Sequence, residues 1–121
     1  MSESASFGNW GENLAEDFLK KLGWKIAARD YRLACGEIDV IALDGKTLVF
    51  VEVKARTNFS FGGPAAAVTK SKQRKLTAAA LGYIKETGSR PDSIRFDVIA
   101  IVAGKEPLHI KNAFTPERFS Y

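Results

Sequence analysis

Two strand-like stretches on either side of an aspartate–glycine pair constrain this chain more than any other feature. Residues 37–43 read Glu-Ile-Asp-Val-Ile-Ala-Leu, and residues 47–54 read Thr-Leu-Val-Phe-Val-Glu-Val-Lys. β-Branched and aromatic side chains dominate both, which suits a packed, pleated surface. Asp44-Gly45 between them is a hairpin signal. The expectation is an antiparallel hairpin within a larger sheet.

Side chains alternate between the faces of a strand. Glu52 and Lys54 therefore share one face, and Val49, Val51 and Val53 take the other. A two-residue Asp44-Gly45 loop sets Leu43 opposite Lys46, Asp39 opposite Phe50 and Glu37 opposite Glu52. Opposed residues share a face, so Glu37, Asp39, Glu52 and Lys54 gather on one side. Asp39 becomes a diagonal neighbour of Glu52, roughly 7–8 Å away along the backbone. A loop one residue longer or shorter would send them to opposite faces.

Two neighbouring carboxylates repel, which raises a pKa or recruits a cation. Hard oxygen ligands suit Mg²⁺ or Mn²⁺, which binds through one or two carboxylates together with substrate phosphate. A lysine beside them can stabilise charge on phosphate or help activate water. Asp39, Glu52 and Lys54 thus form a minimal set for phosphodiester hydrolysis. The same residues also fit a solvated sheet face laced with salt bridges worth ~0–1 kcal/mol. Ile41 and Phe50 share that face, which argues against simple solvation.

Around the hairpin the chain reads as α β β β α β β. Residues 1–7 read as a tail. A helix is expected from Asn9 to Leu22, with Trp10, Leu14, Phe18 and Leu22 four apart and Ala15 and Leu19 widening the stripe. Gly8 or Asn9 would cap it. Strand-like residues 24–31 follow. A loop spans residues 56–69 around Gly62-Gly63-Pro64. A second helix runs from Lys70 to Glu86 with Leu76, Ala79, Ala80, Tyr83 and Ile84 on its apolar face. Strands at 95–102 and 108–111 complete an α/β fold.

At 121 residues the chain is expected to be one domain. One cysteine, Cys35, excludes an internal disulfide or a multi-cysteine zinc cluster, and one histidine, His109, excludes a histidine-rich metal site. With no apolar leader and no apolar run of membrane-spanning length, the expectation is a cytoplasmic protein without a membrane partner. The net charge of +4 permits a polyanionic partner without requiring one.

The hairpin residues resemble the PD-(D/E)XK nuclease motif. A closer resemblance, from about Gly8 to Phe114, is to the YraN family of small bacterial proteins. It rests on Gly8-x-x-Gly11-Glu12, Gly36-Glu37-Ile38-Asp39-Val40-Ile41-Ala42, Val49-Phe50-Val51-Glu52-Val53-Lys54-Ala55-Arg56, Lys72-Gln73 and Arg95-Phe96-Asp97-Val98. The resemblance implies a restriction-endonuclease-like core, a mixed sheet flanked by helices, similar to Holliday-junction resolvases. It implies Asp39 and Glu52 as metal ligands, Lys54 as the group assisting water, and Glu12 as a further ligand or supporting carboxylate. The motif departs from its pattern at Ile38, where proline would stand.

Lys70, Lys72, Arg74 and Lys75 crowd the start of the second helix, where cations oppose the helix dipole and no nearby acid offsets them. Contact with a phosphate backbone would account for them. Arg56 and Gln73 join them as nucleic-acid-binding candidates. Asn58, Phe59 and Phe61 sit in the preceding loop, where the aromatics either stack on bases or anchor the loop. Glu37 is expected to pair with Arg29, Arg32 or Arg56, and Arg95 with Asp97. Cys35 and His109 read as structural or incidental. The expected function is Mg²⁺-dependent phosphodiester hydrolysis on structured DNA, with a homodimer needed for paired cuts. The alternative is a module of the same fold that binds nucleic acid or protein without cutting.

Overall fold

The computed structural model describes residues 3–57 and 68–116, with side chains from Asn9 onward in the first helix. The order is α1 (Glu3–Lys21), β1 (Lys25–Leu33), β2 (Gly36–Asp44), β3 (Thr47–Arg56), α2 (Lys70–Thr87), β4 (Ser93–Val102) and β5 (Leu108–Phe114). The predicted sequence of elements is thus the observed one. The strands form one sheet in chain order, β1-β2-β3-β4-β5. Every pairing is antiparallel except β3–β4, which is parallel and is bridged by α2. A parallel pair needs a crossover of about this length, and a helix supplies it.

The sheet is buried on both faces. On one, α2 packs Leu76, Ala79, Ala80, Tyr83 and Ile84 against Ile41, Leu48, Phe50, Phe96 and Val98. These five helix residues are the apolar face expected from the sequence. Thr69 caps the helix by accepting from Lys72 N, and Gly88 ends it in the left-handed conformation. On the other face, Ala15 and Leu19 of α1 pack with Val40, Ala42, Val49, Val51, Ile99 and Ile101.

Two expectations for α1 change. The helix starts at Glu3, so residues 3–7, read as a tail, belong to it, and Gly8 and Asn9 lie inside it. Its buried line is Gly11, Ala15 and Leu19, flanked by Trp10 and Phe18, whereas Leu14 and Leu22 are exposed. The larger side chains misplace the stripe because the closest approach to the sheet is made by the smallest residues.

The hairpin turn is Gly45-Lys46, with Asp44 paired to Thr47. Gly45 has φ 61°, the positive value required at the first position of a type II′ turn. The predicted register, built on an Asp44-Gly45 turn, is therefore corrected by two residues: Ile41 pairs with Phe50 and Val40 with Val51. A slip of two preserves side-chain parity. Asp39 comes level with Glu52 instead of Phe50, and Glu37 does not oppose Glu52. Among the described residues no helix is long and apolar enough to cross a membrane.

Candidate metal and nucleic-acid site

The ladder between β2 and β3 stops at Val40–Val51, one position short of Asp39. There the Val53 amide donates to Asp39 Oδ2 at 2.8 Å, so a side-chain carboxylate stands in for a backbone carbonyl. Alternation in β2 also breaks at this point. Ile38 and Ile41 are three apart yet both pack on the α2 side. In the neighbouring strand β1, Asp30 has φ 49°, a left-handed value that aspartate tolerates better than most residues. The flanking pairs Arg29–Val40 and Tyr31–Ile38 place Asp30 level with Asp39.

Three carboxylates meet at this irregularity. Oxygens of Glu12, Asp30 and Asp39 lie within 4.8 Å of one another. α1 supplies Glu12, β1 supplies Asp30 and β2 supplies Asp39. Burial, a hydrogen bond with Asp30 and the charge of Asp39 push Glu12 up to about 7. Burial first, then the charge of Glu52, pushes Asp39 up to about 7, against the opposing pull of the Val53 amide and Lys72. Glu12 Oε1 is buried and has no hydrogen-bond partner, and the Arg29 guanidinium stands 3.6 Å from it. This is a set of hard oxygen donors short of positive charge, which is what a divalent cation requires.

Glu52 is placed differently from the expected ligand set. It lies outside the three-carboxylate cluster and is buried on the α2 side. Its Oε1 is 3.3 Å from Lys54 Nζ and 3.0 Å from Lys72 Nζ. Asp39 joins the two groups, since it lies within 4.8 Å of Glu12 and Asp30 and feels the charges of Glu52 and Lys72 on the α2 side. Asp30 was missed in the sequence. The available signal was an aspartate inside a strand, where that residue is depleted.

The expectation that no acid offsets the basic start of α2 is corrected at Lys72, which Glu52 neutralises. Lys70 and Arg74 are exposed on that turn. They line a pocket of about 320 Å³ with Gln73, Thr77, Thr115 and Pro116. The Gln73 side-chain amide donates to Val68 O at 3.1 Å, which closes the entry to the helix. Arg56 is exposed at the end of β3 and donates to Ala55 O. Asn58, Phe59, Phe61 and Gly62-Gly63-Pro64 lie outside the described residues.

The expected ion pairs of Glu37 and Arg95 are present. Glu37 pairs with Arg32 at 3.3 Å and both are exposed. Asp97 is buried and accepts from Arg95 Nε at 2.8 Å, with His109 Nε2 also 2.8 Å away. Cys35 is an exposed free thiol.

The model of the uncharacterised protein family UPF0102 matches residues 11–101, a span holding Glu12, Asp30, Asp39, Glu52, Lys54 and Lys72. Similar proteins include a UPF0102 protein of Desulfosudis oleivorans, 48% identical over 115 residues and covering 94% of each chain. A UPF0102 protein of Geotalea daltonii is 48% identical over 117 residues, covering 93% of this chain and 92% of its own. One from Rhodococcus jostii is 41% identical over 118 residues, covering 94% of this chain and all of its own. Likeness at this level along nearly the full length, together with the family match, means that the chain belongs to the UPF0102 family, the YraN family that its motifs resemble.

Proposed function

We propose that this protein has an endonuclease-like core and carries out Mg²⁺- or Mn²⁺-dependent hydrolysis of phosphodiesters in structured DNA. One observation carries the reading: Glu12, Asp30 and Asp39 converge within 4.8 Å beside the buried Glu52–Lys54 pair. The donor set fits a hard divalent cation. Glu12, Asp30 and Asp39 would hold it, with Glu52 as the further carboxylate on the opposite side of Asp39. When bound, the ion would polarise the phosphate and make water acidic enough to attack near neutral pH.

The rest of the chemistry falls to the chain itself. The Val53 amide fixes Asp39 Oδ2. Lys54 is oriented by Glu52 and offers a cation to the developing charge on phosphate. Lys70, Arg74 and Arg56 are exposed and bind backbone phosphates without reading sequence. A four-way junction needs two cuts, which places two copies of the chain on one junction.

The test is incubation at low salt with junction, flap, single-stranded and duplex DNA, with Mg²⁺ or Mn²⁺, beside Glu52→Ala and Lys54→Ala. Metal-dependent cutting by the wild type that both variants lose is the expected result. Binding without cutting, unchanged in both variants, overturns the reading and leaves a non-catalytic nucleic-acid-binding module.

A further inference from the structure

Two ammonium groups converge on one oxygen. Glu52 Oε1 takes Lys54 at 3.3 Å and Lys72 at 3.0 Å. One cation is enough to balance one buried carboxylate. The two lysines also differ in freedom. Lys54 rises from the same strand, two residues on, and its side chain is 11% exposed. Lys72 reaches down from the first turn of α2 and its side chain is 39% exposed. That turn has no acidic residue, and the positive end of the helix dipole opposes a cation there. Lys72 is therefore held from below, by Glu52 directly and by Asp39 through space. Its neighbours on the turn, Lys70 and Arg74, face solvent.

Building on the metal-dependent reading above, we propose that Lys72 is an exchangeable counter-ion. Its ammonium neutralises Glu52 while the carboxylates are without a divalent cation, and moves to a nucleic-acid phosphate once they are loaded. Two positive charges arriving at Asp39, whose charge Lys72 feels, repel the more mobile lysine. Its flexible stem can swing towards Lys70 and Arg74, where a phosphate would lie. Cation and nucleic acid then favour each other's binding through one side chain, and the coupling is reciprocal. Lys72 acts here as a positioning residue, distinct from Lys54.

The experiment is calorimetric titration of Mn²⁺ into the wild type, Lys72→Met and Lys72→Arg, with circular dichroism melts as the fold check. Loss of a competing charge at this range tightens Mn²⁺ binding by about tenfold in Lys72→Met, and Lys72→Arg stays close to wild type. A fluorescent DNA junction, titrated with and without Ca²⁺, reads the coupling. The gain from Ca²⁺ is kept in the wild type and Lys72→Arg and lost in Lys72→Met. In the wild type, the lysine ammonium NMR signal assigned to Lys72 loses its protection from exchange on adding Mg²⁺, a readout that needs no mutant to fold. Unchanged or weaker Mn²⁺ binding in Lys72→Met, or a Lys72 signal indifferent to Mg²⁺, overturns the inference and leaves the metal reading standing. Failure of every protein to bind Mn²⁺ overturns both.

Discussion

Asp39 is held in an environment that disfavours its own charge. Burial and Glu52 raise its pKa to about 7, and burial with the Asp30 contact does the same for Glu12. Both folded values lie above the ordinary carboxylate value near 4. Between about pH 4 and 7 the folded chain therefore holds protons that the unfolded chain releases, and stability falls as pH rises through that window. By about pH 8 the loss is complete. Asp39→Asn keeps an oxygen for the Val53 amide and removes the charge. Without metal, the variant is expected to be more stable than wild type at pH 8 by about 1–3 kcal/mol and similar at pH 4, while its Mg²⁺ affinity collapses. Denaturant melts at the two pH values, with and without Mg²⁺, check this. Equal stability at pH 8 would show that the site does not strain the fold. Asp39 was legible in the sequence because strand alternation and a hairpin signal point to it. Asp30 was not, because its role depends on a left-handed kink that no period of two anticipates.

The elements show why part of the predicted face, from Ile41 and Phe50 to Glu52 and Lys54, survived a wrong register, while Asp39 came to lie with Glu12 of α1. Asp44 was read as a turn residue and is the last residue of β2. The error moved the pairing by two, and parity kept Ile41 and Phe50 together on the α2 side. Parity could not reveal that the ladder ends before Asp39, since that ending depends on a side chain replacing a carbonyl. In α1 the periodicity found the helix and its buried Ala15 and Leu19, but not Gly11, which carries no hydrophobic signal. A Cβ built on Gly11 would lie 2.7 Å from Ala55 Cβ, a distance real atoms do not tolerate. Both atoms are fixed to backbone, so the helix itself must move. Gly11→Ala gains about 1 kcal/mol in helix propensity and loses about 1–3 kcal/mol to overpacking. The net expectation is a modest loss of stability together with weaker Mn²⁺ binding, because Glu12 is the next residue along the displaced helix. Thermal melts and Mn²⁺ titration test it; full metal affinity in a folded Gly11→Ala would remove α1 from the site.

Among the described residues, the half-buried carboxylate cluster and the buried Asp97 are built in opposite ways. At the β4–β5 side, Asp97 accepts from Arg95 Nε at 2.8 Å, Arg95 Nη2 at 3.0 Å and the Asn112 amide at 3.0 Å. His109 Nε2 stands 2.8 Å away, and Arg95 lies over the Trp24 ring at 5.2 Å. Although burial opposes it, these donors hold the Asp97 carboxyl below its ordinary value. Its contribution to stability is therefore present above the unfolded pKa and is lost only as pH falls below it, the reverse of Asp39 and Glu12. The metal-free chain is squeezed between the two: it is expected to be most stable near pH 5, and a divalent cation should move the optimum towards neutrality. Removing the satisfied centre has the larger cost. Asp97→Ala leaves Arg95 and His109 without their buried acceptor and is expected to lose about 3–5 kcal/mol. Because Asp97 lies outside the carboxylate cluster, whatever fraction of Asp97→Ala folds should bind Mn²⁺ as the wild type does. Denaturant unfolding at pH 7 with a parallel Mn²⁺ titration separates the two effects. A stable Asp97→Ala with weakened metal binding would mean that the two centres communicate through β4, and that the division between a centre built for stability and a centre built for binding is wrong.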